Sequence, residues 1–219
     1  MQHQRVRFST ALGVSALVLS ACAPMQRHST FSQAQLPAPV QVPAGHQVVM
    51  ETVGVGHITY ECRAKKDMPS EHEWVFVGPD AKLQTRGGEV IGKYWGPPAT
   101  WENNDGSKVT ATQVAVSPAG AGNIPLQLVK ANPASGMGAL QGVTYIQRVA
   151  TKGGVAPSMA CGASSVGSKQ VMPYQADYIF WKASLSSVPA AHVRGSCPDL
   201  RRRAAAREEP SALAPEWLG

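Results

Sequence analysis

Eight short runs with strand chemistry follow one another after Gly45: HQVVMETV, HITYECRA, EWVFVG, GEVIGKYW, KVTATQVAVS, IPLQLVKA, VTYIQRVA and YQADYIFWKA. Clusters of Gly, Pro, Asn and Asp separate them at intervals of about 10 to 15 residues, which is turn chemistry between strands. No segment sustains apolar residues at helical spacing, so pairing strands is the main way this chain can bury its apolar side chains. The expectation is an all-β fold: a single-domain antiparallel β-sandwich or barrel with long loops.

Alternation within the runs assigns faces. Ile58, Tyr60 and Cys62 share one side of their strand, and Thr59, Glu61 and Arg63 the other, so Cys62 is expected to face the core. Tyr145, Gln147 and Val149 oppose Thr144, Ile146 and Arg148. The last run places Tyr174, Ala176, Tyr178 and Phe180 together and sends Asp177, Ile179 and Trp181 to the opposite face. Gly54-Val55-Gly56, between two runs, reads as a hairpin turn or bulge.

The ends of the chain carry an address. Arg5 and Arg7 precede an apolar run over residues 8–19, which closes in Leu19-Ser20-Ala21-Cys22. That is a signal peptide with a lipoprotein cleavage box: small residues suit the peptidase, and the cysteine thiol receives the lipid anchor. The run is about a dozen residues long, short of the roughly 20 that span a bilayer. Ala23 after the cysteine favours the outer membrane in a Gram-negative cell. The parts expected are a signal over residues 1–21, a flexible tether over 22–42, the all-β domain over 43–183 and a disordered tail over 184–219. For the tail, a short helix over 200–207 and a frameshifted end are the alternatives.

Of the four cysteines, Cys22, Cys62, Cys161 and Cys197, lipidation of Cys22 leaves Cys62 and Cys161 as the pair inside the domain. An oxidising compartment permits a bridge between them; two buried free thiols are the alternative. The formal charge of +6 is spread along the whole chain. The stretch between signal and tail has no basic stripe of the kind a phosphate backbone requires, so nucleic acid is not an expected partner. The expected partners are the membrane, through Cys22, and a small molecule, glycan or envelope protein.

The richest stretch is YWGPPATWENNDGSKV, residues 94–109. Asn104-Asp105-Gly106-Ser107 is a turn signal, and Pro97-Pro98 stiffens the other end, so a rigid loop is expected. Tyr94, Trp95 and Trp101 suit either a hydrophobic plug or a stacking platform, with Glu102 beside them as a further ligand contact. Glu102 and Asp105 are also the weak candidates for a general acid and base, although nothing in the sequence makes them converge. No metal site is expected, because His46, His57 and His72 lack ligand spacing. No cofactor is expected either: there is no P-loop and no GxGxxG opening a helix, and no GxSxG elbow marks a serine nucleophile. Thr151-Lys152-Gly153-Gly154-Val155-Ala156-Pro157 reads as an anchored turn, with an anion cradle formed by its amides, Lys152 and Arg148 as the alternative.

Taken in order, GVGHITYECRA, EWVFVGPDAKL, GEVIGKYWGPPATWENNDGSKV, VTYIQRVATKGGVAP and VMPYQADYIFWKA resemble the family known as domain of unknown function 3455, across roughly residues 43–182. The resemblance implies a secreted or lipoprotein-like protein and supplies no activity. Some relatives carry a malate dehydrogenase label, but this chain lacks the nucleotide fingerprint and βαβ pattern that such an enzyme needs. Relatives usually place a histidine at the start of the loop; here Tyr94-Trp95-Gly96-Pro97-Pro98 stands there. The functional expectation is a non-enzymatic envelope protein that binds a small molecule, glycan or protein partner. The alternatives are a cofactor-independent envelope hydrolase using Glu102 and Asp105, and a purely structural envelope component.

Overall fold

The computed structural model describes residues 31–185. The expected signal, Cys22 with its expected lipid anchor, the first part of the expected tether, Cys197 and nearly all of the expected tail lie outside the described residues. Eight strands follow in chain order: β1 (His46–Ala64), β2 (His72–Gln84), β3 (Val90–Trp95), β4 (Thr100–Asn103), β5 (Lys108–Ser117), β6 (Leu126–Ala131), β7 (Val143–Gly153) and β8 (Lys169–Ala183). Each pairs antiparallel with the next, and β8 returns to β1, so the sheet closes into a barrel. Closure leaves no open edge for another chain to pair with.

An eight-stranded barrel is just wide enough for side chains to fill it. Tyr60, Leu83, Tyr94, Trp101, Ile146, Tyr174, Tyr178 and Phe180 do so, together with smaller aliphatics. The alternation read from β8 holds: Tyr174, Ala176, Tyr178 and Phe180 point inward, while Ile179 and Trp181 belong to a second cluster.

Three expectations need correction. First, Gly54-Val55-Gly56 is not a turn, because β1 runs straight through it. A Cβ at Gly54 would lie 2.5 Å from the Tyr178 ring, and one at Gly56 would lie 2.1 Å from the Asp80 carbonyl oxygen. These glycines admit close neighbours within a long strand. The register shifts on β1 fall elsewhere, between Val48 and Met50 against β8 and between Thr59 and Tyr60 against β2. Second, the EWVFVG run continues through Gly78 and Pro79 to Gln84.

Third, the chain from Phe31 to Val42 is no loose tether. It lies as a strap, with a short 3₁₀ turn at Ala38–Val40, over a second apolar cluster of Val40, Val42, Leu128, Val149, Ile179 and Trp181. Gln147, 0% exposed, fastens it. Its amide nitrogen donates to the Val40 carbonyl (2.6 Å) and to Gln33 Oε1 (3.0 Å), and its oxygen accepts from Trp181 Nε1 (2.9 Å). Gln33 in turn exchanges two bonds with the Val42 backbone, so every polar group in this buried knot has a partner.

Cys62 of β1 and Cys161 of the β7–β8 connection form a disulfide, with Cα atoms 5.6 Å apart and a sequence separation of 99. In the chain-entropy picture, a loop of that length stabilises the fold by about 4 to 5 kcal/mol. The Gly-rich segment at the end of β7 is an anchored turn. Gly153 N donates to Asn123 Oδ1, Gly154 N to the Pro173 carbonyl, and the Arg148 guanidinium to the Pro125 carbonyl. The Gly153 and Gly154 amides and the Arg148 guanidinium, three of the donors an anion cradle would need, are therefore already taken.

Candidate functional site

The stretch from Tyr94 to Val109 is two tight connections around the four-residue strand β4, with cis peptide bonds at Gly96-Pro97 and Pro97-Pro98 in the first of them. Because β3 and β4 are paired strands, successive residues fall on opposite faces of the barrel wall. The register sets Tyr94 opposite Trp101, Trp95 opposite Thr100, and Lys93 opposite Glu102. The four residues expected to form one contact surface are thus divided two and two.

Tyr94 and Trp101 face inward, 5% and 1% exposed. Their rings stack at 4.6 Å, and Tyr178 stands at 5.8 Å from Trp101 in an edge arrangement. They are the hydrophobic plug and not the stacking platform, because the barrel interior needs large rings to fill it. The Tyr178 and Tyr174 hydroxyls lie 3.1 Å apart. Burial raises the pKa of Tyr94, Tyr174 and Tyr178 above the usual phenol range, partly offset by the Arg148 charge. Trp101 Nε1 is buried with no hydrogen-bond acceptor among the described residues.

Trp95 and Glu102 face outward and come together. The Glu102 carboxylate lies 3.2 Å from Lys108 Nζ and 3.6 Å from Lys93 Nζ. The same two ammonium groups sit over the Trp95 ring, at 4.9 Å for Lys93 and 5.5 Å for Lys108. Glu102 retains 25% side-chain exposure, and the lysines 59% and 42%, so each of these ion pairs is worth at most about 1 kcal/mol. Next to the cluster an open cleft of about 380 Å³ runs between Lys82, Lys93, Glu102, Asn103 and Asn104. A Cβ at Gly92, in its floor, would meet the Glu102 carbonyl oxygen at 2.2 Å, so this close pairing of β3 and β4 requires glycine.

Asp105 does not join Glu102. Its Oδ1 accepts from the Ser107 amide (2.8 Å) and hydroxyl (2.6 Å), and its Oδ2 accepts from the Ala139 amide (2.7 Å). The Ser107 hydroxyl oxygen accepts from the Leu140 amide. This carboxylate closes a turn and ties it to the β6–β7 connection. Its pKa is lowered by the Ser107 hydroxyl bond first and then by the two amides, so it is a poor proton carrier at neutral pH. Among the described residues no group of three His, Cys, Asp or Glu side chains is placed to hold a metal ion.

Lys82, Lys93 and Lys108 were not singled out in the sequence, where each is one lysine in an ordinary strand. The signal that was available is cross-strand: each lies on the outward side of a run adjoining the aromatic loop.

No curated protein and no solved structure matches the chain. The sequence profile of the family described as Protein of unknown function (DUF3455) matches residues 43–182, which takes in all eight strands but for the last residue of β8. The chain is a member of that family.

Proposed function

We propose that this protein is a non-enzymatic, lipid-anchored envelope protein, exported to the outer membrane and held there through Cys22, which binds a ligand on the outer face of β3, β4 and β5. The observation that carries the reading is the cluster of Trp95, Lys93, Glu102 and Lys108 beside an open cleft. Exposed aromatic rings and unbalanced charge on rigid strands are the usual materials of recognition sites. The disulfide suits an oxidising envelope compartment. The hydrolase alternative needs two carboxylates flanking a substrate, and Asp105 is committed to its turn.

Native mass spectrometry of the full-length protein, extracted from the envelope in mild detergent, tests both halves of the proposal. The expected species begins at Cys22, carries acyl chains and retains a non-covalent adduct that Trp95→Ala loses while remaining folded, with its melting temperature lowered by a few degrees at most. An unlipidated chain removes the anchor. An adduct that survives Trp95→Ala removes the site.

A further inference from the structure

The ligand's chemistry can be read from the charge on this face, given that the face binds a ligand at all. Lys82, Lys93, Glu102 and Lys108 form one row across four strands, since the register sets Lys82 opposite Lys93, Lys93 opposite Glu102 and Glu102 opposite Lys108. The row holds three cations and one carboxylate, which Lys93 and Lys108 share. Lys82 has no ion-pair partner among the described residues, and the cation directly opposite it is a juxtaposition that disfavours the sheet. The nearest further acid in register is Asp80, opposite Trp95 and His57. Elsewhere on the barrel both kinds of sharing occur: Arg86 bridges Glu51 (2.9 Å) and Asp177 (3.0 Å), and Glu61 pairs with both Arg63 (3.0 Å) and Lys169 (3.9 Å). At the cleft, Lys82 and Lys93 stand side by side with Glu102 as the one acid in their row.

The second feature is what occupies the Trp95 ring. Two ammonium groups rest over it, and both also reach the Glu102 carboxylate. Exposed ion pairs and cation–π contacts are weak in water, so moving these lysine heads costs little. A ring-shaped ligand that stacked on Trp95 would push them aside. They would then need an anion at the edge of that ring.

We propose that the ligand is an acidic sugar, a pyranose ring bearing a carboxylate or phosphate, and that Glu102 is an internal stand-in for its acid group. In the free protein Glu102 holds Lys93 and Lys108 in place. On binding, the sugar face stacks on Trp95, the acid takes the two ammonium groups from Glu102, and Lys82 gains the counter-ion it lacks. Glu102 therefore competes with the ligand, which is the opposite of what a contact residue or a catalytic acid would do.

The test is calorimetric titration of the full-length protein in detergent with an oligogalacturonate, a phosphorylated glucosamine oligosaccharide and an uncharged oligosaccharide of equal length. The expected result is binding of at least one acidic probe about tenfold or more tighter than the neutral one, weakening as salt is raised. The carboxylate and phosphate probes together identify which acid the site takes. Lys82→Gln should weaken acidic binding several-fold and Glu102→Gln should tighten it, with melting temperatures confirming that both variants fold. Weaker binding in Glu102→Gln overturns the stand-in role. Equal affinity for the neutral probe, lost in Trp95→Ala, overturns the acidic class while the site itself stands. Failure of all three probes overturns the sugar; if the adduct from the envelope is nonetheless lost in Trp95→Ala, the site reading survives it.

Discussion

The two faces of the β3–β4 wall are built from adjacent residues and do different work. Tyr94 and Trp101 fill the barrel, while Trp95 and Glu102, each one position away, stand outside it among lysines. Composition alone would merge them into one aromatic site. The pleat separates them, because a strand has a period of two and the barrel has only one interior. Aromatic residues close in sequence are thus poor evidence of a shared ligand unless the strand geometry places them on one face.

The sharpest way to break this contrast is to truncate one tryptophan on each face. Trp101→Ala opens a cavity beside Tyr94 and Tyr178 and should cost about 3 to 5 kcal/mol of folding stability. Trp95→Ala should cost about 1 kcal/mol or less, since the ring it removes is only half-buried and its partners are two exposed ammonium groups. Urea unfolding of the oxidised protein measures both. Equal losses would mean that the outer ring is structural too.

A second outer region offers a control, because the face under the strap is dry where the face at Trp95 is wet. Gln147→Ala leaves Trp181 Nε1 and the Val40 carbonyl without their partner in a buried place. The expected loss is about 1 to 3 kcal/mol, with faster hydrogen exchange at the Val42 amide. Unchanged exchange there would show that the strap is held by its apolar contacts alone.

The sequence carried the class of the fold and the inward side of most strands, since alternation is a local property. It misled where contacts distant in the chain override local chemistry. Gly54 and Gly56 look like a turn, yet they exist to admit Tyr178 and the Asp80–Ala81 backbone. The strap was hidden because Pro, Ser and Gln between Phe31 and Val42 read as linker. One signal pointed to it: Tyr178-Ile179-Phe180-Trp181 is apolar on both faces, and a strand of that kind needs cover on each side. At the candidate site, Trp95 and Glu102 were visible as residue types. Their lysine partners depend on the register between strands, which no single run of sequence carries.

Asp105 sharpens the distinction between a carboxylate that holds the wall together and one that is free to exchange partners. Its pKa is lowered in the folded protein by bonds from Ser107 and Ala139, from a reference of 3.8. A lowered carboxylate contributes stability above its unfolded pKa, and that contribution is lost as pH falls through the folded value. Wild type should therefore exceed Asp105→Asn in urea midpoint near neutral pH, and the gap should narrow as pH drops below about 4. A gap that stays constant on acidification would mean that the charge adds nothing to the turn.

The smallest effect bears most directly on function. Lys82 faces Lys93 across β2 and β3 with no acid of its own among the described residues, so the wall carries a repulsion that folding does not require. Lys82→Thr removes it and supplies a better strand former, and should raise stability by about 0.2 to 1 kcal/mol at low ionic strength. Salt should erase the electrostatic part of that gain, because the charges are exposed to solvent. A variant that gains stability at low salt while losing affinity for acidic sugars would show that the lysine pair is kept for binding. A variant that loses stability at low salt would mean that Lys82 has a structural partner on this face, and the case for an unmet cation waiting for a ligand would fall with it.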